Sequence, residues 1–404
     1  MPPINRSISA KQLPRSRERR RAIWRLLEDA LPALAAGRLK IMLPNGRTIE
    51  RRGAADGPEA VMTLHRWRAV RRILLGGENG LTDSYMDGDW STPDLPRLLQ
   101  LCMRNEAQLI AAAHTSPAGV AVARFLHLLR SNTRRGSQRN IAAHYDLGND
   151  FFAAWLDADM NYSSALYAAE DTLEQAQERK LDRIAGLLAL AGGERVLEIG
   201  CGWGSLAERL IRRHSASVVG VTLSGAQFDY ARARLAGEAK ADLRLLDYRD
   251  VSGSFDRIVS VEMIEAVGES YWPVYFAKLR ACLKRGGIAV VQAITIDESR
   301  FSAYRQRPDF IQRHIFPGGM LPTKAIIGRE AARAGLRVES HEGFGDSYAV
   351  TLREWRSRFL QNWPSIKLMG FDERFRRMWD YYLVYCETGF RMRAVDVGLF
   401  KFIG

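Results

Sequence analysis

Two glutamates three positions apart, Glu262 and Glu265, stand where an apolar run ends in the stretch DRIVSVEMIEAVGESY, residues 256–271. A buried strand that releases two carboxylates as it turns into a helix is suited to taking up protons. Close acids repel, and partial burial raises the pKa of at least one of them toward a general-base range. Upstream, ERVLEIGCGWGSLAERLIRRH places Glu198 two positions before Gly200, with Gly202, Gly204 and a helical pattern following. Glycines there let the backbone turn sharply and come close to a ligand. Dinucleotide folds and S-adenosylmethionine (SAM) methyltransferases share such a turn. A neighbouring carboxylate repels a pyrophosphate and suits a sulfonium donor with a cationic methionine end, so the spacing favours SAM over NAD.

The elements that position these residues follow from the rhythm around them. ASVVGVTLSGAQFDYARARL, ADLRLLDYRD, FDRIVSVEMIEAVG and GGIAVVQAITI supply short apolar runs separated by helix-length segments. Strands alternating with helices imply a parallel sheet covered on both faces, with ligands at its carboxyl edge. The expected fold is α/β: a Rossmann-like SAM-dependent methyltransferase domain over 140–404, preceded by a smaller N-terminal α+β domain over 1–135. The polar, basic RSNTRRGSQRN (130–140) reads as the linker between them. In the first part, Ile23, Leu27, Leu31 and Leu34 are spaced as one face of a helix behind a cluster of arginines. That helix either lies on anionic headgroups or packs on its own domain with its arginines solvated. GRLKIMLPNGRTIERRG, with Asn-Gly between alternating residues, predicts a β-hairpin.

Composition limits the function. The 404 residues are 47% hydrophobic and 26% charged, which describes a globular chain, and the formal net charge of +13 implies an anionic partner. Cys102, Cys201, Cys282 and Cys386 lack metal-site spacing, so neither a metal site nor a disulfide scaffold is expected, and a reducing cytosol fits best. No stretch approaches the ~20 apolar residues of a membrane span, and the N-terminus lacks the apolar core of a secretory signal.

Several stretches in order, AHYDLGNDFFAAWLDADMNYSSALY (143–167), VLEIGCGWGSLA, VVGVTLSGAQ, DYRD, FDRIVSVEMIEAVG, HIFPGGMLPT (314–323) and YYLVYCETGF (381–390), resemble the cyclopropane-fatty-acyl-phospholipid synthase family. GLTDSYMDGDW resembles that family's N-terminal lipid-binding domain. The resemblance implies a SAM site formed by Tyr162, Ser163, Glu198, Gly200, Gly202, Gly204, Thr222, Gln227, Tyr248 and Arg249. It implies an unsaturated phospholipid acyl chain as substrate, an anionic membrane surface as partner, a cytoplasmic enzyme peripheral on the inner membrane face, and a homodimer. A reductase partner follows if the product is a methyl branch. Cys386 matches a cysteine of the family's active-site region, although a buried small hydrophobe is an equally good reading.

An isolated alkene is a poor nucleophile that needs a strong alkyl electrophile, and its alkylation leaves a carbocation. That cation must be shielded from water and relieved of a proton, and the position of the base selects ring or branch. Cyclopropane-forming members hold a bicarbonate as base through a cysteine, a glutamate, a histidine and a tyrosine. The matching positions here are Ser164, Glu265, Gln292 and Tyr348, and Glu262 stands where those members commonly have glycine. The substitutions favour a base tethered at Glu262 over a bound bicarbonate. On the alternative reading Glu262 pairs with a cation or caps the following helix. Aromatics in DFFAAWL and FIQRHIFPGG are candidates for an acyl tunnel or for ordinary core packing. A nucleic-acid methyltransferase would also explain the SAM site and the charge. EMIEAVG lacks the Pro-Pro-aromatic turn that amino-directed enzymes use, so no nucleic-acid partner is expected.

Overall fold

The computed structural model describes residues 33–112 and 147–404. They form two compact units, one on each side of the intervening stretch. The expected basic helix lies almost wholly outside the described residues, as do the linker and the boundary between the two expected domains. Leu34, assigned to that helix, is described and lies in no helix.

The first unit is a four-stranded sheet in the order β2-β1-β3-β4. Strands β1 (Ala36–Met42) and β2 (Thr48–Arg52) form the expected hairpin, with Met42 opposite Thr48. Gly46 takes the left-handed backbone (φ 81°) that the Asn-Gly turn requires. Strand β3 (Ala55–Leu64) runs parallel to β1, and β4 (Trp90–Ser91) is a two-residue edge. Helix α1 (Trp67–Met86) breaks at Gly77, and α2 (Leu95–Arg104), capped by Asp94, buries four leucines against the unit. The GLTDSYMDGDW motif is structural here. Asp89 is fully buried and ion-paired with Arg68 at 2.7 Å, and Trp90 is fully buried beside it.

The second unit is a seven-stranded sheet in the order β10-β11-β9-β8-β5-β6-β7. Strands β5 (Arg195–Ile199), β6 (Ser217–Thr222), β7 (Ala241–Leu245), β8 (Phe255–Val261) and β9 (Leu283–Ile296) are mutually parallel. Strands β10 (Arg337–Gly343) and β11 (Val395–Ile403) add an antiparallel edge. The central strands β5, β6, β8 and β9 are largely apolar because both faces are covered, yet they alternate. Leu197, Ile258, Ala289 and Val291 enter one core, while Val196, Val259, Ile288 and Val290 enter the other. The sheet is flanked by α3 (Leu173–Leu188), α4 (Ser205–His214), α5 (Gly225–Arg234), α6 (Ile264–Val267), α7 (Trp272–Cys282), α8 (Gly345–Gln361) and α9 (Glu373–Arg391). A capping box between Thr172 and Gln175 starts α3, which supplies two side chains to the site.

Candidate active site

The carboxyl ends of β5, β6 and β8 gather the expected residues at one edge. After β5, Gly200, Gly202 and Gly204 all adopt left-handed backbone (φ 81°, 52° and 86°). An added Cβ at Gly202 would meet nothing within 4 Å, so the turn borders open space. Glu198 is 3% exposed, and its Oε2 has no hydrogen-bond partner among the described residues. Burial lifts its carboxyl to about 8, against the pull of Lys180. An orphaned, buried acidic oxygen beside an open glycine turn fits a ligand that brings a cationic, hydrogen-bonding head, as the methionine end of SAM does. At the end of β6, the hydroxyl of Thr222 donates to Oε1 of Gln227 at 3.1 Å. Tyr162 and Tyr382 share a hydrogen bond between their hydroxyls at 2.9 Å. Tyr248 is buried against Tyr275, and Arg249 is paired with Asp247 at 2.6 Å, so its charge is neutralised within its own loop.

Glu262 directly follows β8, where its backbone N–H donates to the carbonyl of Gln292 at 2.8 Å. Its φ of 48° lies in the left-handed region, which strains a residue with a side chain by about 1 kcal/mol. The conformation turns the carboxylate inward onto three donors. Oε1 accepts from the backbone N–H of Ser164 at 2.8 Å and from Nε2 of Gln292 at 2.7 Å, and Oε2 accepts from the Tyr348 hydroxyl at 2.7 Å. Burial raises the Glu262 pKa above the ordinary carboxylate value, and these three bonds and Lys180 oppose that rise without cancelling it. Among the described residues, Glu262 therefore neither caps α6 nor pairs directly with a lysine or arginine. The site brings together four of the residues the sequence singled out, with one change of role. Ser164 offers its N–H rather than its hydroxyl, which donates to the carbonyl of Ala165.

Glu265, on α6, accepts from the N–H of Ile294, and its other carboxyl oxygen is buried without a partner among the described residues. Burial first, and then the charge of Glu262, push it up to about 8. The two acids thus differ: Glu262 faces three donors, and Glu265 faces one. Cys386, on α9, has its thiol held well above the ordinary 9.0 by burial and by Asp309, which is the state of a protonated group rather than a thiolate. Among the candidate aromatics, Phe151, Phe152 and Trp155 pack into a ring cluster with Trp379, with centroids 5.0–6.5 Å apart, so core packing is their structural role. Sequence reasoning missed Lys180 and Gln177, both buried on α3. Lys180 donates to the hydroxyl of Ser163 and Gln177 to its carbonyl, each at 2.9 Å. Nothing in QERKLDR separates Lys180 from a solvated helix cation except its place on the helix's apolar side.

Comparison with known proteins decides the class. Residues 132–400 match the mycolic acid cyclopropane synthetase family. The chain belongs to that family. Tuberculostearic acid methyltransferase UfaA1 of Mycobacterium tuberculosis is 42% identical over 369 residues, covering 85% of this chain and 83% of the relative. The cyclopropane-fatty-acyl-phospholipid synthase of Escherichia coli K12 is 37% identical, covering 81% of this chain and 83% of the relative. Among solved structures, mycolic acid cyclopropane synthase CmaA1 complexed with SAH and CTAB has a TM-score of 0.62 at 29% identity, covering 66% of this chain and 98% of that one. As a cyclopropane synthetase family member, the protein is a SAM-dependent transferase of the methyltransferase and cyclopropane synthase type, on a Rossmann-like fold. In this family setting, the glycine turn, Glu198, Thr222 and Gln227 are the residues available to hold SAM.

Proposed function

We propose that the protein alkylates the double bond of an unsaturated fatty-acyl chain within a membrane phospholipid, with the Glu262 carboxylate as a fixed general base. One observation carries this reading: the residues matching the bicarbonate-holding set of cyclopropane-forming members include Ser164, Gln292 and Tyr348, and here those three donate to Glu262 itself. The position a free base would need is filled by a tethered one.

Bound SAM supplies an electrophilic methyl group. The π electrons of the acyl double bond form the new C–CH₃ bond, which leaves a cation on the neighbouring carbon. Glu262 then accepts a proton from the added methyl. If the freed C–H electrons reach the cation directly, a cyclopropane closes. If a hydride first shifts to that carbon, the cation moves to the methyl-bearing carbon, and the same proton loss gives a methylene branch. The greater similarity to a relative named a methyltransferase than to one named a cyclopropane synthase favours the branched product. A methylene product then calls for a reduction to become a methyl branch.

The formal charge of +13 supports attraction to an anionic membrane surface, and among the described residues no helix is long and apolar enough to cross a membrane. The reading therefore places the enzyme at the inner membrane face. Mass spectrometry of phospholipids from cells with and without the protein tests the reaction. It should show acyl chains heavier than their unsaturated precursors by one CH₂ unit, or by CH₂ and two further hydrogens where the branch has been reduced. NMR should show a vinylidene methylene or its reduced methyl, and cyclopropyl protons instead would return the product to a ring. Unaltered acyl chains would refute the reading.

A further inference from the structure

The side chain of Lys180 is 1% exposed, yet no step of the reaction uses it. Its ammonium donates to Oγ of Ser163 at 2.9 Å. One turn earlier, Gln177 donates to the carbonyl of Ser163 at 2.9 Å. Asp157 accepts from both the backbone N–H and the side-chain amide of Asn161, at 2.8 and 2.7 Å. Helix α3 and Asp157 thus grip residues 161–163 from several sides. The next residue, Ser164, delivers the N–H that meets Glu262.

The charges around the ammonium come from separate elements. Glu262 after β8 is the strongest, followed by Asp157 before α3 and Glu198 in β5, and Arg209 of α4 opposes them. Glu262 in turn faces Lys180, Tyr348 of α8, Glu265 of α6 and Tyr382 of α9. Of these groups, Lys180 is the cation. Burying an ammonium on a hydroxyl is unfavourable unless a nearby acid balances it, so Lys180 and the carboxylate of Glu262 sustain one another.

We propose that Lys180 is a positioning residue for Glu262: it locks Ser163 so that the Ser164 N–H meets the carboxylate, and its charge keeps that carboxylate ionised and able to take a proton. The proposal rests on Glu262 being the base. Burial lowers the Lys180 pKa to about 8, so at neutral pH the ammonium form is retained by its acidic neighbours.

The test uses full-length enzyme and compares the pH dependence of kcat/KM for wild type, Lys180→Gln and Lys180→Met. Glutamine retains a hydrogen bond to Ser163 without the charge. Its acid limb should move upward by about one pH unit or more, so that a loss of roughly tenfold on the acid side of the wild-type limb recovers as the pH rises. Methionine should show the same shift with a further loss that does not recover. A deficit equal at every pH would reduce Lys180 to a packing role and overturn the proposal. Glu262→Gln run alongside separates the two claims. If it is fully active, the base reading has failed. If it is inactive while the acid limb of Lys180→Gln coincides with wild type, only the lysine proposal has failed. Infrared difference spectra of wild type against Glu262→Gln provide a check that needs no lysine variant. At pH 7 Glu262 should contribute a carboxylate band, and a protonated-carboxyl band there would contradict the proposal.

Discussion

Ser164 and Glu262, 98 positions apart in the chain, are joined by a hydrogen bond of 2.8 Å from the backbone N–H of one to Oε1 of the other. Gln292 and Tyr348 complete a set in which every hydrogen-bond partner of the Glu262 carboxyl among the described residues is a donor. A protonated carboxyl would have to give its own proton to an acceptor, and this set is shaped for the ionised form. The fold therefore holds a proton acceptor ready, at the end of the strand next to the glycine turn.

Tyr348→Phe removes the donor on Oε2 while keeping the ring that packs against Phe390. Hydrogen bonds to charged groups contribute about 1.5–3 kcal/mol, so kcat should fall about tenfold or more. Because the lost bond favours the ionised form, the acid limb of the rate profile should also move upward. Measuring SAH release across pH checks both, and an unchanged kcat would show that the hydroxyl does not hold the base.

Glu262→Gly relieves the left-handed strain at φ 48° and leaves the Ser164 N–H, Gln292 and Tyr348 facing vacated volume. In bicarbonate-free buffer this variant should be inactive, and added bicarbonate should restore part of the turnover. Its thermal midpoint should exceed that of Glu262→Ala, because alanine keeps about 1 kcal/mol of backbone strain. Wild-type enzyme should ignore bicarbonate. Stimulation of the wild type would mean that a free base still operates.

Glu265 is raised from an ordinary 4.5 to about 8 by burial and by Glu262. The folded chain therefore binds this proton between those values while the unfolded chain releases it, so folding stability contributed here falls as pH rises from about 4.5 through about 8. Glu265→Gln, neutral throughout, should flatten that slope. Urea unfolding of both proteins at pH 5 and pH 8 measures it, and identical slopes would show that Glu265 is ionised in the fold.

Much of the architecture was readable because parallel strands covered on both faces are apolar along their length, and RVLEI, SVVGVT and FDRIVSV state this openly. The hairpin was readable from Asn45-Gly46. Strand β11 was not singled out, since VDVGLFKFI alternates like many strands and its antiparallel place between β9 and β10 depends on long-range pairing. Glu262 itself was legible as an acid at a strand end. Its partners were legible only through a resemblance in motifs, as they lie 98, 30 and 86 positions away. Lys180 was invisible for a different reason: a helix of mixed polarity does not announce which cation it turns inward. The aromatics of DFFAAWL carry no mark that separates tunnel from core, and the structure sends Phe151, Phe152 and Trp155 to the core.

The most direct measurement is single-turnover alkylation by Glu262→Gln, an isosteric change that keeps the side-chain volume and removes the acceptor of the proton. With SAH and lipid binding verified at wild-type affinity, the rate should drop by about a hundredfold or more, the scale of a lost general base. A variant that binds both ligands and turns over at the wild-type rate would contradict the central claim.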